Sequence, residues 1–62
     1  MTKKRLKEAV VQGKLFWNDP DPIEGNDYKV TSIQVCDSET SMITYNDGGS
    51  EAEVYNHELE IR

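Results

Sequence analysis

Two alternating segments flank Asn46-Asp47-Gly48-Gly49, and no other stretch restricts the folding of this chain so sharply. Asp-Gly supplies the positive φ angles of a tight hairpin at little steric cost, so the flanking segments should run antiparallel. Before the turn, Ser41, Ile43 and Tyr45 alternate with Met42, Thr44 and Asn46. After it, Ala52 and Val54 alternate with Glu51, Glu53 and Tyr55, which puts the two small apolar residues inside and the others outside. The later segment also has a helical reading. Ser50-Glu51-Ala52-Glu53 matches a capping box, and Ala52, Tyr55 and Leu59 would share a helical face. The turn directly before it favours the strand. Asn56-His57-Glu58 then reads as one tight helical turn, followed by a short strand at Leu59-Glu60-Ile61.

Upstream, Lys14-Leu15-Phe16-Trp17-Asn18 reads as an aromatic-rich strand between Gly13 and a loop of turn-forming residues, 18–27. Leu15 and Trp17 share one face, so Phe16 on the other should be exposed or covered by the N-terminal helix. Tyr28 to Val35 is the best strand in the chain, but its phase changes. Tyr28 and Val30 lie on one face and Ile33 and Val35 on the other, which predicts a bulge or sharp bend near Thr31-Ser32. Residues 2–12 read as a short helix, with Thr2 as cap, Leu6, Ala9 and Val10 on one stripe, and Gly13 suited to the left-handed position beyond its end. Four basic residues in its first two turns oppose the helix dipole, so packing must hold it.

Only 13 of the 62 residues are Leu, Ile, Val or Phe, and the single Cys36 allows no intrachain disulfide. A domain this small buries about 60% of its unfolded surface. One domain spanning 1–62 is therefore expected, with no deep water-excluding pocket. Apolar runs of three residues, such as Leu15-Phe16-Trp17, are too short to span a membrane. No signal-length apolar stretch follows Lys3-Lys4-Arg5, so a cytoplasmic location in a microbe is expected.

The predicted order is helix, strand, long loop, three closely spaced strands and a final short one. It implies a mainly β fold: helix 2–12, then a small five-stranded barrel over 14–61. The long first loop, the tight hairpin and the helical turn before the last strand resemble the SH3-like or Tudor-like small barrel. Trp17-Asn18-Asp19-Pro20-Asp21-Pro22, Tyr28-x-Val30 and Ser50-Glu51-Ala52-Glu53-Val54-Tyr55-x-x-Glu58-Leu59 together are similar to a group of short bacterial proteins without an established activity. The resemblance covers most of the chain and implies a fold rather than a function.

Charge is segregated. Lys3, Lys4, Arg5 and Lys7 make the first seven residues strongly basic, and all twelve acids lie beyond them against Lys14, Lys29 and Arg62, for a net charge of −5. Nucleic-acid binding needs a positive surface, so the acidic body disfavours it. The acids at 19, 21, 24 and 27 do not fit a calcium loop, because Ile23, Glu24 and Val30 stand where a ligand, a glycine and a glutamate belong. Gly48-Gly49-Ser50-Glu51-Ala52 is not a nucleophile elbow. His57, the only histidine, sits in a polar turn, and Asp37 gives Cys36 no thiolate stabilisation, so Cys36 should be a small buried or half-buried apolar residue. No enzyme activity, metal site or cofactor is expected.

Aromatic rings next to carboxylates suit a cationic or proline-rich segment. The leading reading is a non-enzymatic interaction module for a basic peptide or protein surface. Its groove would be walled by the Pro20- and Pro22-stiffened loop with Asp19, Asp21 and Glu24, and floored by Trp17 or Tyr55. An acidic mimic of nucleic acid, occupying a partner's phosphate-binding cleft, is the alternative. A structural homodimer kept soluble by its acidity is the third reading.

Overall fold

Thr2 opens the first element: its Oγ1 accepts a hydrogen bond from Arg5 N at 3.2 Å, satisfying one of the free donors of a helix start. Helix α1 (Lys3–Val11) follows, in a computed structural model that describes residues 2–21, 23 and 26–62. Leu6 and Ala9 are buried and Val10 packs against the core, as the stripe predicts. Gly13 ends the helix at φ +70°, with Gly13 N donating to Val10 O at 3.0 Å and Lys14 N to Ala9 O at 2.8 Å. That bond pair is a Schellman closure, which needs the left-handed backbone that glycine adopts without strain.

Six strands follow: β1 (Leu15–Asn18), β2 (Asp27–Lys29), β3 (Ser32–Val35), β4 (Thr40–Tyr45), β5 (Ser50–Tyr55) and β6 (Leu59–Ile61). A 3-10 turn at Asn56–Glu58 separates the last two, as anticipated. The ambiguous segment after the hairpin is a strand. The strands form two antiparallel sheets, ordered β2-β1-β6 and β3-β4-β5. This differs from the five-stranded barrel expected, because the stretch from Tyr28 to Val35 is not one bent strand. Val30 N donates to Leu15 O at 2.9 Å in the first sheet, while the next residue, Thr31, donates its N–H to Thr44 O at 2.8 Å in the second. The phase change therefore marks a change of sheet, and no ladder joins the two sheets among the described residues.

The core lies between the layers. Leu15, Trp17 and Leu59 from the first sheet, Ile43 and Val54 from the second, Val30 at the crossing and Leu6 and Ala9 from α1 form one buried cluster. Ser41 is the one polar residue buried there among the described residues, and its hydroxyl donates to Asn56 Oδ1, so its burial leaves no unmet hydrogen bond. Phe16 points away from the core, as its position in the strand predicts, but α1 is not what covers it. Arg62 lays its guanidinium over the ring, 4.2 Å from the centroid, and pairs with Asp27 at 2.5 Å and Glu60 at 3.1 Å. One arginine thus ties both edges of the first sheet across its central strand.

In the hairpin between β4 and β5, Asn46, Asp47 and Gly48 have φ of 53°, 55° and 88°. Gly48 N donates to Tyr45 O and Gly49 N to Asn46 O, two successive turns of mirror-image hand. The sequence pattern placed the positive φ angles at Asp47-Gly48, and the structure extends them back to Asn46. Asn and Asp tolerate that region better than other side chains do.

Candidate functional site

The residues expected to form a binding groove fall in two places. Asp19 and Asp21 lie in the loop after β1, where Asp19 Oδ1 accepts from Asp21 N at 3.0 Å and Asp21 Oδ1 from Ile23 N at 2.8 Å. Asp19 N donates to Asn26 O at 3.0 Å, continuing the β1–β2 pairing by one bond. These carboxylates therefore shape the loop as well as charge it. Glu24 and Pro22 lie outside the described residues.

Trp17 is only 8% exposed, so little of its ring is open to a ligand. It stacks on Tyr28 with centroids 5.6 Å apart, meets Tyr45 at 5.4 Å, and Tyr28 and Tyr45 meet at 4.6 Å. The three rings pack the first sheet, through Trp17 and Tyr28, against Tyr45 of the second, a contact that adds to their burial. Trp17 Nε1 donates to Glu58 Oε1 at 3.4 Å. The same oxygen accepts from Tyr55 N at 3.2 Å. Glu58 thus connects the central strand of one sheet to the end of β5 in the other, a role the sequence signals only through its place at the third position of the 3-10 turn.

Tyr55 is the exposed aromatic, at 54%, and stacks on His57 with centroids 5.5 Å apart and planes 16° from parallel. It is not alone on its face. The β4–β5 register pairs Thr44 with Glu51, Met42 with Glu53 and Thr40 with Tyr55, and all three β5 residues are exposed. Their side chains form a row along the outer face of the second sheet. Beside it runs a shallow depression lined by Ser32, Gln34, Met42, Thr44 and Glu51. Thr44 Oγ1 lies 2.7 Å from both Thr31 Oγ1 and Ser32 Oγ, a small hydroxyl network at the far end. The alternation in the sequence puts Glu51, Glu53 and Tyr55 on one outer face but does not show what lies beside them. The register adds the neighbours Thr44, Met42 and Thr40 that complete it.

Asp37, in the turn between β3 and β4, accepts from Glu39 N and Thr40 N at 2.8 Å each, and these bonds hold its carboxyl below the usual carboxylate range. Cys36, expected buried or half-buried, is exposed. It follows Val35, which packs on the core, so strand alternation puts Cys36 on the outer face, where its Sγ donates to Gln34 O at 3.8 Å. Among the described residues, no three His, Cys, Asp or Glu side chains gather as a metal site, and no helix is long and apolar enough to cross a membrane. Comparison with protein-family models, curated proteins and solved structures finds no match for this chain.

Proposed function

We propose that this chain is a non-enzymatic interaction module whose acidic, aromatic outer surface binds a basic peptide or a basic segment of a protein. The observation that carries the reading is the row Glu51, Glu53, Tyr55: two exposed carboxylates at alternate strand positions, followed by an exposed ring held over His57. Carboxylates attract lysine and arginine, and an aromatic face accepts a cation or the apolar stem that bears it. A mimic of nucleic acid needs an unbroken line of charge, and here an aromatic ring follows two acids, which favours peptide capture. The loop with Asp19 and Asp21 adds a second negative region.

The same proposal takes the two sheets as an open variant of the SH3-like small barrel. The passage of the chain from one sheet to the other at Val30–Thr31, the long first loop and the 3-10 turn before β6 support that relationship. Membership of the group of short bacterial proteins sharing the Trp17–Pro22 segment belongs to the proposal too, as does a cytoplasmic setting.

Titration with octalysine tests the function. Binding should weaken severalfold between about 0.05 and 0.5 M salt, because the charges are exposed and screened. Glu51→Gln with Glu53→Gln should weaken it further, while Asp19→Asn, Asp21→Asn and Glu24→Gln measure the share of the loop. Salt-independent binding, or none at low salt, would overturn the reading.

A further inference from the structure

The ladder bonds of β5 alternate, and their phase is fixed. Asn56 N donates to Glu39 O one pair beyond the end of the β4–β5 register. Ser50, Ala52 and Val54 therefore turn their backbone groups toward β4, and Glu51, Glu53 and Tyr55 turn theirs away. Tyr55 N, bonded to Glu58 Oε1, confirms that phase. Among the described residues β5 is the last strand of its sheet, so the N–H and C=O groups of Glu51 and Glu53 face an open edge. At one end that edge is closed by Glu58 on Tyr55 N, and at the other it runs into the hairpin turn. A short, defined length of strand is left to be paired.

We infer that a basic partner binds by adding an extended segment antiparallel to β5, with lysine or arginine at the two alternate positions opposite Glu51 and Glu53. This rests on the basic-partner reading above and specifies its geometry. In an antiparallel pair, residues directly opposite share a face with Cβ atoms about 5 Å apart, so basic side chains at those positions meet the two carboxylates. The backbones of the same two residues supply two donors and two acceptors. Running from its own N-terminus, the partner passes Tyr55 first, then Glu53, then Glu51. The position two before the first basic residue thus falls over the Tyr55 ring, where an arginine would stack. Charge names the occupant. A second copy would put Glu51 and Glu53 against acids of its own edge, and like charges directly opposite are unfavourable.

The test uses the full chain and the peptide acetyl-Val-Arg-Thr-Lys-Thr-Lys-Val-amide, compared with the same peptide N-methylated at both lysines. Methylation removes the two N–H groups that would donate to the carbonyls of Glu51 and Glu53 while keeping every charge. The unmodified peptide should shift the amide resonances of Glu51 and Glu53, and the methylated one should bind about tenfold or more weakly. Equal binding of the two would overturn strand addition and leave a charge-only surface standing. Failure of the peptide where octalysine still binds would overturn the inference alone. Failure of both ligands would remove the basic-partner reading with it.

Discussion

Two residues in tight turns show opposite ways in which backbone geometry stabilises this chain. Gly48 sits at φ +88°, and a Cβ built there would meet nothing within 4 Å. Its replacement therefore costs backbone strain without a clash. Gly48→Val should destabilise by about 1–3 kcal/mol, with Gly48→Ala at the lower end, in thermal melts. A Gly48→Val protein melting like the parent would remove the hairpin assignment. Asp37 works through its carboxylate. Its two backbone N–H partners favour the ionised form, so its folded pKa lies below the unfolded value of about 3.9. The stabilisation is present above that unfolded value and is lost as pH falls through the lower folded one. Asp37→Asn keeps an acceptor oxygen but not the charge. The variant should melt lower than the parent at pH 7, and the gap should narrow below about pH 4.

At the level of elements, α1 is held by what it packs on. Its first two turns carry Lys3, Lys4, Arg5 and Lys7 against the dipole, and nine residues are too few for an isolated helix to persist. Leu6 and Ala9, buried against β1 and β3, supply what the sequence-local terms lack. Deleting residues 1–12 should lower the melting temperature and raise binding of an apolar dye, because the core loses its lid. An unchanged melt would mean that the helix contributes nothing to the fold. Every element was legible wherever a local rule governs it: the Thr2 cap, the Gly13 stop, the Asn46–Gly49 turn, the 3-10 turn at 56–58. The exchange of sheets at Val30–Thr31 was visible only as a slipped phase. A two-residue period shows that the face changes, and it does not show which strand receives the next hydrogen bond. For the same reason the sequence shows that Phe16 lies off the core face but not that Arg62 covers it. Arg62 reaches it from 46 positions away through the β1–β6 pairing, and nothing near Phe16 in sequence announces that contact.

On the scale of the whole molecule, the candidate site was half legible. Acids beside aromatics were plain in the sequence, but Trp17, the most conspicuous of them, is drawn into the Tyr28–Tyr45 cluster and leaves Tyr55 as the accessible ring. Large rings go where the area they bury is greatest, and a chain this short has few other residues with which to fill its core. The open backbone edge beside the remaining row became visible only when β5 was placed at the end of its sheet. The first sheet has a different order in time. Its central strand, β1, contains Leu15 and Trp17, yet one of its two neighbours is β6, at Leu59–Ile61. Pairing β6 with β1 closes a loop of more than forty residues, whereas the second sheet joins consecutive hairpins, so the first sheet is the slower to complete and the last to commit.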